Sequence, residues 1–253
     1  MTALPVVPRA RRAVLCVALC AGLTAGLAAC GEDPDEGTNG VGKLNASAIE
    51  EKAQQAAEGA KAVRLDGTLV SKGGTYKLNM RLKQAGATGS VTTKNSTFEL
   101  LRVDDALYLK ADAGFWSHGE AGASPSSTDT EAAGKLDDKY VRVPQDDPSY
   151  KQLRGFTDMA PLLGGLLALQ GDLAKGDRNR VGGVRTIKVT AGEEGDGGTL
   201  DVALEGTPYP LQMERGGGAG VLVLSDWDED FALTPPDKNA TVDYGKQLPR
   251  TSD

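Results

Sequence analysis

Few side chains in this sequence could do chemistry. The 253 residues include one histidine, His118, and three cysteines, Cys16, Cys20 and Cys30. A lone imidazole with no thiolate or carboxylate partner nearby in sequence does not complete a zinc site. A serine or cysteine nucleophile needs a base within hydrogen-bond reach, and neither a Gly-x-Ser-x-Gly elbow nor a Ser-x-x-Lys pair occurs. Gly216, Gly217 and Gly218 lack the Lys-Ser/Thr pair of a phosphate loop. The acidic runs at 193–196 and 226–230 offer oxygen ligands, but neither has the spacing of a calcium loop, and a solvated charged turn is the simpler reading. With 28 Lys+Arg against 35 Asp+Glu the net charge is −7, which argues against nucleic acid, whose phosphates demand a basic patch. The sequence therefore predicts no catalytic residues, no metal and no cofactor.

The N-terminus is built for export. Arg9, Arg11 and Arg12 precede an apolar stretch at 13–27 that would span about 22 Å as a helix, short for a bilayer core of roughly 30 Å. A basic start, a short apolar run and small residues after it read as a secretory signal over residues 1–29. That run ends in Leu27-Ala28-Ala29-Cys30-Gly31, which resembles the lipobox of bacterial lipoproteins. The resemblance implies cleavage before Cys30, acylation of its thiol with diacylglycerol, a palmitate-type anchor, and residence at the outer face of the cytoplasmic membrane. Loss of the leader removes three arginines and no acid, so the charge falls from −7 to −10. Such a body is repelled by anionic headgroups, and attachment rests on the acyl chains, each buried CH₂ contributing about 0.8 kcal/mol. Cys16 and Cys20 leave with the leader, so no internal disulfide remains to staple the exported domain.

Residues 30–44 follow as the acylated cysteine and a tether. The stretch 31–43 has four acids, four glycines and one apolar side chain, Val41, too little to order itself. Fully extended it would reach at most about 45 Å. A domain is expected over 45–236 and a polar tail over 237–253, with local packing at 240–244.

Within the domain, Ser47-Ala48-Ile49-Glu50 matches a capping box, and Ile49, Ala53, Ala56, Ala57 and Ala60 continue at helical spacing, predicting a helix over 45–62. In 75–84, Tyr76, Leu78, Met80 and Leu82 alternate with Lys77, Asn79, Arg81 and Lys83, the period of an antiparallel strand with one wet face. Further strands are expected at 63–71, 90–93, 97–103 and 106–111, a surface loop at 121–130, and helix over 147–173. Inside that helical stretch, 159–169 (MAPLLGGLLAL) is apolar on every side, so apolar material must meet more than one of its faces. Gly164 and Gly165 weaken it by about 1 kcal/mol each. Strands at 183–191, 199–204, 211–215 and 220–225 complete an α+β plan, a strongly curved antiparallel sheet (half-barrel) with helices covering its concave face.

Three stretches resemble one family. Ala106-Leu107-Tyr108-Leu109-Lys110 with Phe115-Trp116, the apolar 159–169 segment, and Val221-Leu222-Val223-Leu224-Ser225-Asp226-Trp227 before Pro235-Pro236 are similar, in order, to the LppX/LprG lipoproteins of actinobacteria, whose fold is related to the LolA/LolB carriers. The insertion at 121–130 departs from that pattern. The resemblance implies a LolA-like half-barrel that holds acyl chains of a lipid or acylated glycolipid in an apolar cavity, for carriage or presentation across the cell envelope. An envelope sensor that binds a protein partner is the alternative on the same fold. The expected lining is Leu78, Met80, Leu82, Leu107 and Leu109, with Leu162, Leu163, Leu166 and Leu167 as a lid; each of the nine could equally be plain core. Trp116 and Trp227 could stand at a mouth or in the packing.

Overall fold

The computed structural model describes residues 35–71, 74–117 and 127–243, with side chains in the last stretch from Thr130 onward. The leader, Cys30, His118 and most of the 121–130 insertion lie outside them. The described residues belong to one compact unit that begins at Asp35.

A helix comes first, α1 (Ala46–Gly59). Asn45, not Ser47, caps it: the Asn45 side chain accepts from the Ala48 amide at 2.9 Å. Five strands follow: β1 (Ala62–Ser71), β2 (Gly74–Lys83), β3 (Gly86–Thr92), β4 (Thr97–Val103) and β5 (Ala106–Ala111). Two short helices, α2 (Ala113–Ser117) and α3 (Ser127–Leu136), lead to β6 (Tyr140–Val143). The helical stretch expected over 147–173 is two helices, α4 (Pro148–Gly155), capped by Asp147, and α5 (Met159–Leu167). Strands β7 (Leu173–Val181), β8 (Val184–Ala191), β9 (Gly198–Ala203), β10 (Pro210–Glu214), β11 (Gly220–Ser225) and β12 (Thr241–Asp243) end the chain's described part.

All twelve strands form one sheet in the order β12-β6-β5-β4-β3-β2-β1-β11-β10-β9-β8-β7. Only β12 on β6 is parallel; the other neighbours are antiparallel. The edge strands β12 and β7 do not pair, so the sheet is an open α+β half-barrel. Period-two alternation turns one face inward: Leu65 on β1, Leu78, Met80 and Leu82 on β2, Leu107 and Leu109 on β5, and Leu200 and Val202 on β9 are all buried. Two inward positions carry glycine instead. Gly67 (φ +148°) and Gly89 (φ +155°) let the neighbouring backbone come so close that a Cβ would lie 2.2 Å from the carbonyl oxygens of Val221 and Asn79 respectively. Such glycines mark where a strand bends sharply.

The ordered body differs at both ends from the expected domain. Residues 35–44, expected as tether, pack against the sheet. The Asn39 amide donates to Leu204 O at 2.8 Å, and its side-chain amide donates to Ala203 O and Gly206 O, both at 3.0 Å. Val41 is buried, Asp35 pairs with Arg178, and Arg185 donates to the Glu36 and Gly37 carbonyls. Counting apolar side chains missed this, because one valine, one bonded asparagine and basic residues on β7 and β8 suffice to hold the segment. At the other end, β12 adds to the sheet within the stretch expected as tail.

Candidate functional site

The inner face of the sheet and the helices over it form the candidate site. α1 lies across β7 to β10, presenting Ala46, Ile49, Ala53 and Ala57. Small side chains bring it close to the strands. α4, α5 and the segment between them cross the rest. At one end the Tyr150 hydroxyl donates to Asp105 O at 2.9 Å, beside the β4–β5 turn. In the middle the Phe156 ring meets Tyr76 of β2, centroids 5.9 Å apart. At the far end α5 packs on α1, and the Gln170 amide donates to Gly197 O at 3.1 Å. This strap therefore spans the concavity from β4–β5 to β9.

All nine expected lining and lid residues meet in one apolar cluster. Leu78, Met80, Leu82, Leu107, Leu109, Leu163, Leu166 and Leu167 are buried, and Leu162 is partly buried against them. The 159–169 segment, expected to meet apolar material on more than one face, instead buries one: Met159, Leu163, Leu166 and Leu167 are covered, while the small residues Ala160, Pro161, Gly164 and Gly165 face solvent. Two crevices of about 140 and 190 Å³ open on the surface of the described residues. Both fall below the roughly 300–1,000 Å³ of small-molecule sites. The first runs beside Leu166, Leu169 and Met213 with Asp196 and Glu214 at its rim; the second lies by Arg142, Gln145 and Asp243.

Trp116 is buried, its indole N–H donating to Ala111 O at 3.2 Å. Trp227 is half-buried and stacked on Tyr209, and its N–H donates to Pro210 O at 3.1 Å. Both indoles are held by the fold. The acidic run at 226–230 is likewise engaged: Asp228 accepts from the Lys61 amide at 2.7 Å, and Asp230 pairs with Lys83 at 2.7 Å.

One residue not singled out from sequence stands in this site. Arg102, on the inner face of β4, is only 4% exposed. Its Nε and Nη2 donate to Thr157 O, at 3.2 and 2.8 Å, and its Nη1 to Asp104 O at 2.8 Å. Thr157, between α4 and α5, is wholly buried. The signal was present in the alternation Phe98, Leu100, Arg102, which puts a guanidinium where an apolar side chain is expected.

No family model matches the chain, and no curated protein matches it. Among solved structures it is similar to LprF from Mycobacterium bovis, at 16% identity and TM-score 0.50, over 76% of this chain and 96% of that one. It is also similar to the lipoprotein LppX from Mycobacterium tuberculosis, at 13% identity and TM-score 0.43, over 75% of this chain and 98% of that one. The likeness to LprF extends along nearly the whole of that protein and shows that the two share a fold.

Proposed function

We propose that this chain is a lipoprotein, anchored through Cys30 at the outer face of the cytoplasmic membrane, that carries or presents an acylated lipid on the concave face of its half-barrel, without turnover. The observation that carries this reading is α5. Its large side chains Met159, Leu163, Leu166 and Leu167 are buried in the apolar cluster, while Ala160, Pro161, Gly164 and Gly165 face solvent, so moving the strap aside would exchange leucine side chains for hydrocarbon of the same character. Shut, the strap and sheet bury the apolar cluster between them, which keeps the empty protein stable. Each buried CH₂ contributes about 0.8 kcal/mol, and the work of displacing the strap subtracts from that total, which leaves binding weak enough for release.

Native mass spectrometry of the folded, extracted protein tests the reading directly. Co-purified lipid is the expected result, and a clean apo mass together with no uptake of added lipid counts against it. Leu166→Arg should lose the lipid while circular dichroism stays unchanged, because Leu166 borders a surface crevice that Asp196, Glu214 and Arg215 also line, and a long cation there can carry its charge out to water. An unfolded Leu166→Arg variant would place Leu166 in the permanent core and remove the lid from the proposal.

A further inference from the structure

Among the described residues, no carboxylate pairs with the buried guanidinium of Arg102. Each of Arg154, Arg178 and Arg185 is paired with a carboxylate and stands in partial contact with solvent. Among the described residues Arg102 forms no such pair. A guanidinium stays protonated in proteins, and it brings five N–H donors. Taking it out of water is costly unless an opposite charge returns that energy, and among the described residues the carbonyls of Thr157 and Asp104 receive it. A leucine at this position would cost nothing of the kind.

The neighbours of Arg102 say what would complete it. Across the strands it faces Ala87 on β3 and Leu107 on β5, both fully buried, with Leu109 and Leu82 beyond them. It therefore stands at the end of the apolar wall, beside the β4–β5 turn. Its principal acceptor belongs to the strap: Thr157 lies two residues before α5. Any movement that lifts α5 off the sheet draws on those hydrogen bonds, and a guanidinium left behind at the end of an opened concavity lacks acceptors.

We propose that Arg102 is the anchor for the acid group of an anionic amphiphile, carboxylate or phosphoryl, whose hydrocarbon tail lies along Leu107, Leu109 and Leu82. This rests on the carrier reading above and adds the charge of the ligand to it. The planar fork of donors matches two oxygens of either acid group. When the ligand leaves, Thr157 O takes the fork back and the strap returns with it.

The acylated protein from Cys30 onward, freed of bound lipid, can be loaded with the uncharged fluorophore N-phenyl-1-naphthylamine and titrated with dodecanoate, dodecyl phosphate and dodecan-1-ol. The tail is the same in all three, so the head alone varies. The wild type should release the probe at concentrations at least tenfold lower for one or both anions than for the alcohol, and the two anion titrations separate a carboxylate from a phosphoryl preference. In Arg102→Leu the anion advantage should vanish while the alcohol titration moves by less than twofold. Equal titrations for all three in the wild type, or an anion advantage that survives Arg102→Leu, would overturn the anchor and leave the carrier reading intact. Failure of the wild type to bind the probe or any of the three would overturn both. Should Arg102→Leu not fold, the wild-type comparison still decides, and Arg102→Lys, which keeps the charge and loses the fork, should retain part of the advantage.

Discussion

Tyr209 and Asp228 tie the loop after β11 to the start of β1. The Tyr209 ring stacks on Trp227, centroids 4.5 Å apart and 2° from parallel, and its hydroxyl donates to Asp228 Oδ2 at 2.6 Å. Asp228 sits at φ +62° and its own amide donates to Ala62 O at 3.0 Å. Desolvation first, and then Asp228, push the Tyr209 hydroxyl from 10.0 up to about 12. The Lys61 amide first, and then Tyr209, hold the Asp228 carboxyl below its ordinary 3.8. The signs are opposite. The contribution of Tyr209 is complete below pH 10 and is lost as pH rises towards 12, whereas that of Asp228 is complete above its ordinary value and is lost as pH falls below it. Tyr209→Phe keeps the stack and removes the hydrogen bond, so it should cost about 1 kcal/mol at neutral pH, the carboxylate being exposed. Urea titrations should show the gap between wild type and variant closing from pH 10 to 12. A gap that is constant over that range would mean that the hydroxyl is not held in its neutral form by the fold.

At the scale of elements, the curvature of the sheet depends on glycines at inward positions. Gly89→Ala places a methyl group against the Asn79 carbonyl at a φ that side chains rarely adopt, so a loss of about 3 kcal/mol is expected, read as a lower urea midpoint. Gly134→Ala in α3, where a Cβ meets nothing within 4 Å, should be neutral or slightly stabilising and serves as the control. The longer amphipathic strands were legible from sequence because half their residues are buried: Leu78, Met80 and Leu82 of β2 announce the inner face by alternation alone, whereas β6, with only Val141 and Val143 buried in four residues, is too short to announce itself. β7 was not, since Lys175, Asp177, Arg178 and Arg180 sit exposed on an edge strand and carry no period-two pattern. α3 was not, because its composition is that of a surface loop, and β12 is three residues ordered by pairing with β6. The same alternation put Leu78, Met80, Leu82, Leu107 and Leu109 on the inner face, where all five are buried. What it could not foresee is that only one face of the 159–169 segment is covered, because the packing of a helix against a curved wall is set by distances between elements far apart in the chain.

For the whole molecule, the ordering of residues 35–44 changes how the body would hang from the membrane. A tether as long as 31–43 reaches at most about 45 Å, enough to let the body turn freely. With Asp35 packed, the chain between anchor and body is at most residues 30–34, about 17 Å. Asp35 is fixed to Arg178 on β7, so it is this edge of the half-barrel that an acylated Cys30 would draw to the bilayer. Cleaved before Cys30, the chain would carry −10, a charge that would oppose that approach at an anionic surface, and the short leash would enforce it. In the acylated protein bound to anionic vesicles, a fluorophore on Asp177→Cys, an exposed position beside Arg178, should be strongly quenched by a spin label at headgroup depth. Inserting a Gly/Ser linker of about 20 residues between Pro34 and Asp35 gives an average reach of about 25 Å, and charge repulsion should then carry the body outward and cut the quenching at least by half. Cys30→Ser should abolish it. Equal quenching with and without the linker would mean that the β7 edge is held at the membrane by contacts of its own, and the leash would have no part in orienting the half-barrel.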